Sequence, residues 1–151
     1  MTITLRKPSL DELPALSLLC QRSKAHWGYD AAFMKACEAE LTLSDDTLDK
    51  PIMLAETGDE IAGVAQLVWE GSDMDLDRLY IDPPFIGQGV GRVLFDWCVT
   101  TAQGLDAARL LIDAEPNAVK FYEKMGAVQI GMRPSGSIPG RFLPQLEFVL
   151  R

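Results

Sequence analysis

Apolar positions along the chain alternate in some stretches and recur at helical spacing in others. Thr2 to Arg6 alternates as a half-buried strand would. Pro8-Ser9 then opens a helix. Ser9 and Glu12 stand at capping-box spacing, and Leu10, Leu13, Leu16 or Ala15, and Leu19 or Cys20 form its apolar stripe. A second helix is predicted after Asp30, with Phe33, Cys37 and Leu41 four apart. Leu43 to Lys50 is a polar, acidic connector. Ile52 to Thr57 and Ile61 to Trp69 are two strands joined through Gly58-Asp59-Glu60. A turn at Gly71-Ser72-Asp73 leads to a third strand at Leu76 to Ile81.

Pro83 and Pro84 stop that strand, because proline gives no N–H to a ladder. Val90, Val93, Leu94, Trp97 and Cys98 mark a helix running to about Gln103, with Gly104 as its C-cap. Leu110 to Asp113 is a short buried strand. Asn117 begins and caps a last helix, whose inner face carries Phe121 and Met125, and Gly126 ends it. Ala127 to Met132 and Leu146 to Leu150 are the final strands. Arg133 to Pro144 between them reads as a long, ordered, functional loop. The order β-α-α-β-β-β-α-β-α-β-β predicts an α/β (α+β) mixed sheet with helices on both faces.

Length and composition narrow this picture. With 151 residues and 48% hydrophobic content, residues 1–151 are expected to form one globular domain. No run is apolar enough to cross a membrane, and the first residues lack a secretory signal's apolar core. Cys20, Cys37 and Cys98 read as buried free thiols of a reducing compartment, so a cytoplasmic location is expected. His26 is the single histidine, and no ligand spacing for a metal is present. The net charge of −8 disfavours nucleic acid and anionic membrane as partners. It favours a cationic acceptor, although ordinary solubility accounts for the same charge.

The chemistry concentrates where strand turns into helix. Gly87, Gly89 and Gly91 let the backbone turn tightly and leave N–H groups uncovered at the positive end of a helix dipole. That is a site for phosphate, with Arg92 adding charge; the alternative is a plain tight connection. The Walker loop is excluded, since no Gly-Lys-Ser/Thr follows Gly87 at its spacing. The dinucleotide fingerprint is excluded too, since its third glycine would fall on Arg92.

Ile86-Gly87-Gln88-Gly89-Val90-Gly91 resembles the Gln/Arg-x-x-Gly-x-Gly/Ala signature of the GNAT superfamily of N-acyltransferases, with Ile86 departing from it. Leu79 to Pro83 resembles that family's preceding strand. Glu115 to Ala127 resembles its Asn-x-x-Ala/Val-x-x-x-Tyr-x-x-x-Gly-Phe segment. The resemblance spans nearly the whole chain. It implies acetyl-CoA (coenzyme A) as acyl donor, with no metal. The pyrophosphate would lie on Gly87, Gln88, Gly89, Val90, Gly91 and Arg92. The pantetheine arm would lie along Leu79, Tyr80 and Ile81, and Asn117 would contact that arm. A backbone N–H near Ile81 would steady the oxyanion.

The resemblance also makes Tyr122 the acid facing the sulfur. One residue separates it from Phe121, so if Phe121 packs inward Tyr122 points elsewhere. For the base, Asp75 matches a position where some members carry Glu. Asp77 would share its face in a regular strand, and a bulge would break that parity. His26 and a water chain compete for the role. His26, Trp27 and Tyr29 are candidate acceptor walls, and Arg141 is a candidate carboxylate clamp. The implied function is acetyl transfer to a primary amine by direct attack, the acceptor being a small metabolite, a peptide N-terminus or a lysine. The alternative is a non-catalytic acyl-CoA sensor or scaffold of the same fold. The family habit also allows a homodimer.

Overall fold

A computed structural model describes residues 2–151. The strands are β1 (Ile3–Arg6), β2 (Ile52–Thr57), β3 (Glu60–Glu70), β4 (Asp73–Ile81), β5 (Arg109–Asp113), β6 (Val128–Pro134) and β7 (Phe142–Val149). The helices are α1 (Leu13–Ala25), α2 (Ala31–Leu41), α3 (Val90–Gly104) and α4 (Val119–Lys124). The predicted order is therefore the observed one. The strands form one seven-stranded sheet in the order β1-β2-β3-β4-β5-β7-β6. All neighbours are antiparallel except β4 and β5.

Two cores lie on opposite faces of this sheet. Leu94, Phe95 and Cys98 of α3 pack on Ala65, Leu67, Met74, Leu110 and Ile112. Leu16, Leu19 and Cys20 of α1 and Cys37 and Leu41 of α2 pack on Leu54 and Val64. The central strand β3 is buried continuously from Ala62 to Leu67, because helices cover both of its faces. The stripe of α1 is as predicted except at Leu10. It lies in a 3-10 turn ahead of the helix and is 56% exposed. The cap holds, since the Ser9 N–H donates to the Glu12 carboxylate at 3.0 Å. Arg22 binds Asp82 through two 3.0 Å bonds and pins α1 beside the end of β4.

Five local expectations change. The connector 43–50 contains a 3-10 turn, Asp45–Asp49, that buries Thr47. Gly104 is the last residue of α3 and not its cap. The left-handed position is Asp106 (φ 62°), a conformation that a short polar side chain tolerates. Asn117 does not cap α4. It sits inside a 3-10 turn, Pro116–Ala118, and its side chain bonds Glu115.

Tyr122, not Phe121, is the buried residue of that helix. Successive residues lie about 100° apart, so both rings reach Phe95, with centroids 6.3 and 6.0 Å away. Finally, the β6–β7 loop shrinks to residues 135–141. Its flanking prolines are absorbed into strands: Pro134 ends the edge strand, and the Pro144 carbonyl accepts from the Ala114 N–H at 2.8 Å.

Candidate active site

The chain builds a cavity of about 470 Å³ where β4 and β5 part. These strands pair at only two positions, Met74–Leu110 and Asp75–Leu111. Beyond them β4 continues alone on that side, and Leu76, Asp77, Leu79, Tyr80 and Ile81 line the cavity. Gly87, Gly89, Gly91 and Arg92 close one end of it. Phe121, Tyr122, Glu115 and Asn117 come from the α4 side, and Ser23, Lys24 and Trp27 from the end of α1.

The glycine end is a cradle made of backbone. Gly87 and Gly89 have φ of +82° and +88°, and a Cβ built on either would meet nothing within 4 Å. The conformation wants glycine, and the space in front of it is open. Gly91 has a different reason to be small, since its Cβ would stand 3.2 Å from the Phe121 ring. The first amides of α3 have no carbonyl one turn back, so they face the cradle without partners. Arg92 is exposed beside them. Amides at a helix N-terminus and one guanidinium suit a phosphate chain. Of the predicted donor residues, two do not line the cavity. Gln88 turns back and donates to the Pro84 carbonyl at 3.1 Å, and Val90 is buried in the core.

Tyr122 is 7% exposed and lines the cavity. Burial, first of all, pushes its phenol above the ordinary range, so it is a protonated O–H at neutral pH. Asp75 and Asp77 part company. The β3–β4 register slips between Gln66 and Leu67, which leaves Asp77 as an unpaired bulge residue on β4. Asp77 lines the cavity and Asp75 does not. Burial, with Glu70, Asp113 and Asp77 nearby, pushes the Asp75 carboxyl up to about 6.

At the other end, four segments meet on one carboxylate. Glu115 accepts from Tyr29 Oη at 2.5 Å and from Asn117 Nδ2 at 2.7 Å, both on Oε1. Oε2 is buried and has no hydrogen-bond partner among the described residues. Lys24 Nζ stands 3.3 Å from it and Arg141 Nη2 3.8 Å. Arg141 donates to Tyr29 Oη at 2.8 Å. Tyr29 stacks on Phe33, with centroids 4.0 Å apart. Burial pushes Glu115 upward, but the bonds from Tyr29 and Asn117 and the Lys24 charge outweigh it and hold the carboxyl below its usual value.

Thus Tyr29 and Arg141 are brought to one place, as a wall behind the cavity and not as a free clamp. Trp27 lines the cavity and is 41% exposed. His26 is exposed, stands outside the lining, and meets the Trp27 ring edge-on at 5.1 Å.

Glu115 and Lys24 carry the cluster, and the sequence reading assigned a role to neither. A signal for Glu115 existed. In the family pattern the Asn lies seven residues before the Tyr, and seven before Tyr122 is Glu115, not Asn117. Lys24 has no such signal, since it sits among the polar residues at the end of an amphipathic helix.

A glycine cradle at a helix N-terminus, opening on a strand fork, gives this α/β protein a site suited to a phosphate-bearing ligand. The sequence profile of the acetyltransferase (GNAT) domain matches residues 19–135, and the chain belongs to that family. The peptidyl-lysine N-acetyltransferase YjaB of Salmonella typhimurium is 37% identical over 90 residues, or 59% of this chain. The match spans 58% of that relative's length. Among solved structures, the PaiA N-acetyltransferase of Thermoplasma acidophilum in complex with coenzyme A superposes with a TM-score of 0.78. It is 18% identical, with 99% of both chains covered. The ribosomal-protein-S18-alanine N-acetyltransferase of Escherichia coli gives 0.71 at 18% identity, over 99% of this chain and 94% of that one. At these identities the likeness is one of fold.

Proposed function

We propose that this protein is an N-acetyltransferase that moves an acetyl group from acetyl-CoA to a primary amine. The observation that carries the reading is the continuity of the cavity. One space joins the phosphate cradle, the open edge of β4, Tyr122 and the Glu115 cluster. The coenzyme A in the Thermoplasma structure and the lysine and alanine acceptors in the relatives' names support the same reading.

The bound donor supplies an acyl thioester. The amides at Gly87, Gly89 and the start of α3 bind its phosphates, with Arg92 adding charge. The unpaired edge of β4 aligns the arm and offers N–H groups to the carbonyl oxygen, which stabilises developing negative charge. Tyr122 gives its proton to the departing sulfur, the role its protonated state suits. Asp77, on the bulge, is the carboxylate of β4 placed to take the proton that the amine loses, directly or through water. Positioning both reactants in one cavity supplies much of the rate. Buried Cys20 and Cys98 are poor nucleophiles, since burial pushes both thiols up. Direct attack therefore needs no enzyme-bound acyl group.

The experiment is thiol release from acetyl-CoA with a panel of primary amines. Release that depends on the amine is the expected result. Binding of acetyl-CoA without turnover on any amine would favour the sensor reading instead.

A further inference from the structure

The Glu115 cluster resembles a filled binding site. Its Oε1 is fixed by Tyr29 and Asn117, while its Oε2 is buried without a hydrogen bond. Opposite Oε2 stands a primary ammonium, Lys24 Nζ, at 3.3 Å. The same nitrogen lies 5.7 Å from the Tyr29 ring centroid and 5.9 Å from that of Phe33. A carboxylate oxygen and two aromatic faces are what a compact cation needs for recognition. The Lys24 side chain is only 11% exposed, and Lys24 is the one lysine in the cavity lining.

We propose that Glu115 Oε2, with the Tyr29 and Phe33 rings, is the subsite for the acceptor's ammonium group, and that Lys24 is a place-holder which a primary alkylammonium displaces. The inference rests on the acetyl-transfer reading and names the group that this end of the cavity recognises.

Two cations approach Glu115, but only one is free to leave. Arg141 is bonded to Tyr29 Oη and lies over the same rings, 5.2 and 4.9 Å from their centroids. Its loop is held against α2, where Ile138 packs on the α1–α2 core and Ser137 Oγ meets Cys37 Sγ at 3.5 Å. Lys24 has a flexible four-carbon stem and no aligned hydrogen bond to Oε2. Swapping one ammonium for another leaves the buried carboxylate paired before and after the exchange, so neither state carries the cost of an isolated charge. A quaternary ammonium has no N–H for Oε2, and an anionic acceptor would meet Glu115 with like charge.

The test is thermal stabilisation by n-butylammonium chloride, with tetramethylammonium chloride at equal ionic strength as control. Each is measured with and without saturating acetyl-CoA. Lys24→Met keeps the stem and removes the competitor, so it should bind n-butylammonium about tenfold more tightly than the wild type. Glu115→Gln should lose that binding, and Lys24→Met should keep its stabilisation by acetyl-CoA. If Lys24→Met does not fold, Lys24→Gln makes the same comparison with a neutral polar tip. Equal or weaker n-butylammonium binding without the Lys24 charge, or undiminished binding in Glu115→Gln, overturns the proposal. A wild type that ignores acetyl-CoA would instead contradict the donor reading, and the n-butylammonium arm without donor still decides this one.

Discussion

The two ends of the cavity are made of different material. At the proposed donor end the contacts are backbone: two glycines at positive φ, the uncovered amides of α3 and the free edge of β4. At the proposed acceptor end they are the side chains of Lys24 and Glu115, with Tyr29 and Arg141 bonded behind them. On the proposed reading, backbone amides hold the phosphates and the edge of β4 holds the arm, so the fold itself selects a donor that carries both. Side chains can be exchanged singly, so on the same reading a few residues select the acceptor without changing the fold. Substitutions should therefore separate the two ends cleanly.

The largest effect is expected at the donor end. Gly89→Glu puts a side chain where φ is +88° and a like charge where phosphate would lie. Acetyl-CoA affinity should fall by about two orders of magnitude or more, measured by calorimetric titration. The Glu115 cluster should be untouched, and unchanged affinity would mean the cradle is not the phosphate site. Tyr122→Phe comes next. Turnover should drop about a hundredfold with donor affinity nearly constant. Activity held across the pH range would remove Tyr122 from the role of acid.

Tyr29→Phe is the matching cut at the acceptor end. It deletes the bond to Glu115 and the acceptor for Arg141, and should cost about 1–2 kcal/mol of stability. Donor affinity should not move, which calorimetry on the same sample checks. A loss of donor binding here would show that the two ends are coupled after all.

The smallest effect belongs to Asp75, the carboxylate that misses the cavity. Its folded pKa is raised to about 6 from its ordinary value of 3.8, so the folded state holds a proton that the unfolded chain gives up. Stability from this group is present below about pH 4 and is lost as pH rises through about 6. Asp75→Asn should stabilise the protein at pH 7.5 by about 1 kcal/mol, allowing for the solvent exposure of this half-buried group. The gain should vanish below about pH 4. Denaturant melts at both pH values check the sign, and a destabilised variant at pH 7.5 would show that Asp75 is needed in its charged form.

The same contrast explains what could be read in the chain. The glycine loop was legible because its signal is local: three glycines, two prolines before them and an apolar helical repeat after them. The strand and helix order followed for the same reason. The bulge at Asp77 was not legible, because a slipped register is a property of two strands and shows in neither alone. Tyr29 and Arg141 were each legible as acceptor candidates, but their meeting on one carboxylate was not, since they are 112 residues apart. Glu115 was the exception. It stands seven residues before Tyr122, where the family pattern places its Asn, and Asn117 two residues on carries the pattern's residue type at the wrong spacing.

The most direct test of the account is thermal unfolding of the wild-type protein titrated with acetyl-CoA, with ATP and NAD in parallel. Donor at a hundred times its Kd should add about 2.7 kcal/mol, a clear rise in melting temperature. The account predicts that rise with acetyl-CoA and none with ATP or NAD. No rise with acetyl-CoA, or an equal one with either nucleotide, would contradict the assignment of the cradle.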